Sequence, residues 1–268
     1  MLAFILKRLG FALVTVLVVT IIVFLLVHVG TGGPGVIALG QGATPEEIEA
    51  YNQKVGWNDP LLVQYWAWLS GVLTGNFGVS LIDGRDIIKD IGTRLPVTTS
   101  LAAGATLFSA IVGIALGVSA AVRRGWVDRF VSVFSGLAVA IPSFWLGIVL
   151  VFLLAVQSSI LPATGYVPFE FSPALWAASL ALPVLTLAVG GAAFIARQTR
   201  ASMTDALAQE HIRTLRATGT PTWRILYVHA LRYASLPIVA SIALQFIALF
   251  GGSVIVEQLF AMPGIGLA

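Results

Sequence analysis

From Leu9 to Val29 the chain carries no Asp, Glu, Lys or Arg, and an apolar run of that length leaves one folding solution. Hydrocarbon offers no partner for backbone N–H and C=O groups, so a lone segment that enters it must satisfy them internally, as a helix. The run can cross about 30 Å of hydrocarbon. It is longer than the roughly 7–15-residue apolar region of a signal peptide, and Leu25 to Val29 offers no small-residue cleavage site. It reads as an uncleaved first span, with Lys7 and Arg8 ahead of it and His28 as an interfacial side chain at its end. Four further apolar segments follow at about 98–122, 130–156, 176–196 and 236–256. The whole sequence is 58% hydrophobic and only 10% charged, where soluble domains carry about 25% charged residues. The fold class is an all-α polytopic membrane protein with five spans in a single transmembrane domain over 1–268. A helical region over 30–97 and a long polar hairpin over 197–235 connect the spans.

Several chemistries are excluded early. With no cysteine, the chain has neither disulfides nor thiolate metal sites. Gly30-Thr31-Gly32-Gly33-Pro34-Gly35 matches G-x-G-x-x-G, but it follows a membrane span where the dinucleotide fingerprint requires a strand. It reads as an exit turn. No G-x-x-x-x-G-K-[ST] phosphate loop, H-E-x-x-H zinc helix or G-x-S-x-G nucleophile elbow occurs. His211 and His229 have no carboxylate or cysteine companions at ligand spacing, so they read as solvated or contact residues. No nucleophile–base pair shows in the spans, which leaves little for an intramembrane enzyme.

The connecting segments carry their own signals. Thr44-Pro45-Glu46-Glu47 combines an N-cap, proline at N1 and a capping-box glutamate, so a helix starts there. Asp59-Pro60 starts another, in which Leu61, Leu62, Tyr65, Trp66, Leu69, Val72 and Leu73 follow a 3.6-residue period. That helix either lies in the membrane interface or packs on neighbouring spans. A third amphipathic piece, 84–94, leads into the second span. There Ala105, Ser109, Gly113, Gly117 and Ala121 recur every four residues, a stripe on which two helix backbones can touch, in this chain or another. Pro142 predicts a kink in the third span. Ser143, Ser241, Gln245 and Glu257 are the polar candidates for lining a translocation path, each with helix packing or an interfacial position as its alternative.

Orientation follows from charge. With the N-terminus inside, Lys7, Arg8, Arg123, Arg124, Arg129, Arg197, Arg200, Arg213, Arg216, Arg224 and Arg232 all fall on the cytoplasmic side. These are eleven of the 15 basic residues, against three of the 12 acids. The positive-inside rule therefore places the hairpin in the cytoplasm and the 30–97 region outside. The basic residues flank membrane spans, and we read them as orientation signals and not as a nucleic-acid surface.

The hairpin carries a resemblance. Glu210-His211-Ile212-Arg213-Thr214-Leu215-Arg216-Ala217-Thr218-Gly219, then His229-Ala230-Leu231-Arg232-Tyr233-Ala234 and Pro237, is similar to the cytoplasmic loop of ATP-binding-cassette importer permeases. It looks most like the dipeptide/oligopeptide/nickel branch, with its form E-x-I-R-T-x-R-A-x-G…H-A-L-R-x-A-x-x-P. The Glu-Ala-Ala triplet that names the wider motif is absent here, as is usual in that branch. Ala43-Thr44-Pro45-Glu46-Glu47-Ile48, Asp59-Pro60-Leu61-Leu62-Val63-Gln64-Tyr65, Arg94-Leu95-Pro96, Gly251-Gly252-Ser253-Val254-Ile255-Val256-Glu257 and Pro263-Gly264-Ile265-Gly266 also sit in the family's order.

The resemblance implies a type I importer transmembrane domain in a bacterial or archaeal cytoplasmic (inner) membrane, surrounded by lipid. It implies four kinds of function around the pore. A second permease subunit, identical or a paralogue, completes it. Two cytoplasmic ATPase subunits bind ATP and magnesium, so this chain needs no cofactor, metal or catalytic residue of its own. An external binding protein delivers substrate, expected to be a di- or oligopeptide. A helix over 205–219 couples the chain to the ATPases, through Asp205, Glu210, Ile212, Arg213, Thr214, Arg216, Ala217 and Gly219. The alternatives are the same permease serving nickel or another small solute, and a carrier driven by an ion gradient. The family normally continues past the Pro-Gly-Ile-Gly turn into a sixth span, so a truncated sequence is expected in preference to a five-span subunit.

Overall fold

The computed structural model describes residues 1–29, 33–40, 42–123 and 125–267. Gly30, Thr31 and Gly32 of the expected exit turn, and Arg124 of the orientation count, lie outside them. The described residues are almost wholly helical, with one isolated bridge between Val79 and Asp86. They fall into two compact units, Met1–Gly92 and Thr93–Ala268.

In the first unit, α1 (Leu2–His28) buries none of its residues. α2 (Gly33–Leu39) begins where the exit turn was expected to continue. Pro34 lies in its first turn, where a missing N–H costs no helical bond, and the Gly35 N–H donates to Asn52 Oδ1 at 2.9 Å. α3 (Pro45–Lys54) carries the expected capping box, with the Thr44 hydroxyl accepting from the Glu47 N–H and the Glu47 carboxylate accepting from the Thr44 N–H. α4 (Leu61–Leu73) answers the question left open about it. Its Tyr65 hydroxyl lies 3.0 Å from Thr20 Oγ1, and the Tyr65 ring meets Phe24 edge-on at 5.4 Å. One side of α4 therefore packs on α1, while Leu62, Trp66 and Leu73 stay exposed. His28 belongs to the same junction, stacked on Trp57 at 4.0 Å with Nε2 3.0 Å from Gln64 Oε1.

The second unit holds most of α5 (Ile87–Val122), which absorbs the amphipathic piece and the second span into one helix through Pro96. α6 (Trp126–Ala140) and α7 (Ser143–Leu150, continued as a π-helical stretch Val151–Gln157) replace the expected kinked third span. They are bent by 98° at the break. Proline lacks an N–H and drives the residue before it out of the helical region; Ile141 is extended at φ −79°, ψ 123°, so the break exceeds a kink. α8 (Pro173–Leu207) starts on the Ser172 cap and continues well beyond the expected end of its span. At 1.5 Å per residue it is roughly 50 Å long, so one element runs from the span into the hairpin. α9 (Glu210–Ala217), α10 (Thr222–Arg224), a π-helical turn Ile225–Ala230, α11 (Leu231–Gly252), α12 (Val254–Leu259) and a 3-10 turn Ile265–Leu267 follow. Among the described residues, four helices are long and apolar enough to cross a membrane: Leu2–His28, Ile87–Val122, Pro173–Leu207 and Thr222–Gly252. The bent pair α6–α7 makes a fifth if it is one span.

The small-residue stripe of α5 finds its neighbour within the chain. A Cβ on Gly113 would lie 2.8 Å from Ile195 Cβ, and one on Gly117 2.5 Å from Thr199 Cβ and 2.6 Å from the Ala196 carbonyl oxygen. The Ser109 hydroxyl donates to the Ala188 carbonyl at 3.0 Å. With the backbones of α5 and α8 in contact along this seam, a core forms towards each end. One gathers Val97, Leu101 and Ala105 with Leu180, Leu182, Leu187, Val256, Phe260 and Met262. The other gathers Val118 and Ala121 with Met203, Ala206, Ile212, Ile225, Ala230, Ala234 and Ile238.

Candidate functional site

The second of those cores holds the hairpin. Ile212 is fully buried in it, among side chains of α5, α8 and α11. Leu215, one turn on, is partly buried beside it. Glu210, Arg213, Thr214 and Ala217 occupy i, i+3, i+4 and i+7 on the opposite face and are exposed, as are Arg216 and Gly219. α9 is thus a short amphipathic helix, pinned by its apolar side and displaying a polar one. Glu210 lies in its first turn and Arg216 in its last, each complementing the partial charge of that helix end.

Both ends of α9 are set by identifiable contacts. At the C-terminus, Gly219 has φ +75°, a left-handed conformation that costs other residues about 1–2 kcal/mol. Its N–H donates to the Arg216 carbonyl at 3.1 Å and the Thr220 N–H to the Leu215 carbonyl at 3.0 Å, the two bonds of a Schellman cap. Pro221 then caps α10 at a new angle. At the N-terminus the expectation of one helix from Asp205 needs correction. α8 ends at Leu207, and Gln209 is extended at φ −66°, ψ 147°. Ala208 and Gln209 are good helix formers, so nothing local breaks the helix. The turn there brings Ile212 into the core.

Asp205 consequently belongs to α8 and is exposed. With Ser202, Gln209, Tyr233 and Pro237 it lines a cleft of about 460 Å³ between the end of α8 and the start of α11. His211 is exposed with its ring 5.8 Å from that of Tyr233, and His229 is half-buried in the π-helical turn. Ser241 is buried, its hydroxyl donating to the Ile238 carbonyl at 2.7 Å. Gln245, one turn along the same face of α11, is half-buried beside Gly191 of α8. Ser143 is exposed at the head of α7, and Glu257 is fully buried on α12. The four path candidates are therefore not brought together; only Ser241 and Gln245 share one seam. Among the described residues no group of three His, Cys, Asp or Glu side chains could hold a metal ion.

One pair near the hairpin was not anticipated. Asp128 of α6 receives both Nε and Nη2 of Arg200 on α8, the latter at 2.8 Å, and Arg197 Nη1 donates to the Ser135 carbonyl at 3.2 Å. A two-pronged guanidinium–carboxylate contact fixes geometry as well as charge, so α6 is stapled to α8 just above the hairpin. The available signal was Asp128 itself, a lone acid beside three arginines.

Comparison with known proteins identifies the family. The family model for binding-protein-dependent transport system inner membrane components matches residues 113–268, and the N-terminal model for such membrane components matches residues 1–102. A putative peptide transport system permease protein of Brucella abortus is 39% identical over 267 residues, covering 99% of this chain and 85% of that protein. A probable peptide ABC transporter permease protein of Sinorhizobium fredii is 38% identical, covering 98% and 84%. The glutathione transport system permease protein of Salmonella typhimurium is 36% identical, covering 99% and 85%. A multi-pass chain with these matches along its whole length belongs to the binding-protein-dependent transport system inner membrane components, the permease family of ATP-binding-cassette importers.

Proposed function

We propose that this chain is a pore-forming subunit of an ATP-driven importer for small peptides, coupled to its ATPase partners through α9. The observation that carries the reading is the two-sided nature of α9: Ile212 is fixed in a core shared by three long helices, while Glu210, Arg213, Thr214 and Ala217 are displayed together. An amphipathic helix with one face already occupied is suited to a groove on a partner. With the hairpin in the cytoplasm, that partner is an ATPase subunit binding ATP and magnesium, one of a pair beneath two permease subunits. Closure of the pair displaces α9, and Ile212 passes the displacement to α5, α8 and α11 together, rocking the spans between inward- and outward-open states. An external binding protein delivers the substrate, and Ser241 and Gln245 on the seam between α8 and α11 are our path residues. Relatives named for peptides and for glutathione, itself a tripeptide, favour peptide over nickel.

The test is purification from the native host followed by reconstitution. The expected result is a stable complex with proteins carrying the G-x-x-x-x-G-K-[ST] loop, whose peptide uptake needs ATP and a binding protein. Full uptake by the lone chain on an ion gradient would establish a secondary carrier instead.

A further inference from the structure

Glu257, one of the four path candidates, lies apart from the seam that holds Ser241 and Gln245, and it is the only carboxylate among the fully buried side chains of the described residues. Its oxygens face donors. Oε1 accepts from the Thr98 hydroxyl at 2.7 Å and lies 2.9 Å from the Ser253 hydroxyl, while Oε2 accepts from the Gly266 N–H at 2.9 Å. Thr98 Oγ1 in turn accepts from the Ile265 N–H at 2.9 Å, so its own proton is directed to Glu257. Arg94 Nη1 donates to the Gly264 carbonyl at 3.3 Å, and the Met262 N–H to the Glu257 carbonyl at 2.9 Å. Three segments, α5, α12 and the turn 262–266, therefore meet on one acceptor-only group. The fit is close: a Cβ on Gly264 would fall on the carboxyl group of Glu257, and one on Gly266 would lie 2.7 Å from Val254 Cγ2. Val256, Phe260 and Met262 seal the same junction against Val97 and Leu101 of α5.

The junction stands at the far end of a continuous packed route from α9. Ile212 shares one buried cluster with Ile225 and Ala230 of the π-helical turn, Val118 and Ala121 of α5 and Met203 and Ala206 of α8; α5 and α8 touch backbone to backbone at Gly113 and Gly117; α5 then reaches Glu257 through Thr98. We propose that Glu257 is a positioning residue for transport, the joint through which movement of α9 reaches the turn 262–266. The inference rests on the importer reading above. The joint carries movement because its members have no slack: the two oxygens of one side chain hold α5 through Thr98 and the turn through the Gly266 N–H, and no space separates the turn from the carboxyl group.

The test measures peptide transported per ATP hydrolysed in the reconstituted complex. Glu257→Gln keeps the side-chain volume but offers one acceptor oxygen where the carboxyl group offers two, so either the Gly266 N–H or the Thr98 hydroxyl loses its acceptor. We expect assembly and stimulated ATP hydrolysis near wild type, with transport per ATP lowered about tenfold, the scale of one lost hydrogen bond to a charged group. Gly264→Ala should give the same split by pushing the carboxylate aside, and adding Glu257→Asp, which retracts the carboxylate by one methylene, should restore part of the ratio. If Glu257→Gln does not assemble, Thr98→Val decides, since it keeps the shape of Thr98 while removing both of its hydrogen bonds. An unchanged ratio in the assembled variants overturns the joint, as does a proportional fall of hydrolysis and transport. Failure of the wild-type complex to couple uptake to ATP would instead overturn the importer reading.

Discussion

Ile212 does more for this chain than any charged residue of the hairpin. Its side chain is the only fully buried one on α9, and with the partly buried Leu215 it ties that helix to the core from within. Truncating a buried isoleucine to alanine costs about 2–5 kcal/mol, more than an eight-residue helix holds by itself, since helices shorter than about 12 residues are marginal in water. Ile212→Ala should therefore release α9 while the spans stay inserted, and trypsin should then cut at Arg213 and Arg216 under conditions that leave the wild-type hairpin intact. Glu47 gives a second residue-scale expectation. Hydrogen bonds from the Thr44 backbone N–H and then its hydroxyl hold the Glu47 carboxyl below its ordinary value. Its contribution to α3 is thus present above the unfolded-state value and lost as pH falls through the lower folded-state one. Amide exchange in α3 should accelerate at that acidic edge in the wild type, and Glu47→Gln, which removes the titrating group, should flatten the dependence.

At the scale of elements, what could be read in the sequence was whatever is decided locally. The capping box at Thr44, the end of α9 at Gly219 and the apolar length of α1 each depend on a few adjacent residues, and each formed where expected. The stripe from Ala105 to Ala121 was legible as a packing face but not as to its partner, because periodicity describes one helix and contact needs two. α8 supplies that partner, and its close approach gives a direct expectation. Gly117→Val puts a branched side chain where even a Cβ would stand 2.5 Å from Thr199 Cβ. Overpacking of this kind costs about 1–3 kcal/mol or more, so the variant should show a lower melting temperature and reduced yield, whereas Gly136→Val, at a position with open space, should match wild type. The break at Ala208–Gln209 was illegible because tertiary burial of Ile212 overrides favourable helix propensity. The 98° bend was only half legible: Pro142 signalled a disturbance, but a proline by itself does not specify the angle.

For the molecule as a whole, the multi-pass helical class was readable, since it rests on the apolar length of several segments and tolerates local error. Pairings across long sequence separations were not. Asp128 and Arg200 are 72 residues apart and Thr98 and Glu257 are 159 apart; as single letters, Arg200 looked like an orientation signal and Glu257 like a path residue. The central claim is that α9 is where cytoplasmic ATP hydrolysis takes hold of the spans. Ala217 tests it most directly, because it is exposed on the displayed face and has no role in anchoring α9. The decisive measurement is binding-protein- and peptide-stimulated ATP hydrolysis by the reconstituted complex carrying Ala217→Asp. The account predicts loss of stimulation with the subunit still in the membrane, whereas wild-type stimulation and transport in that variant would contradict it.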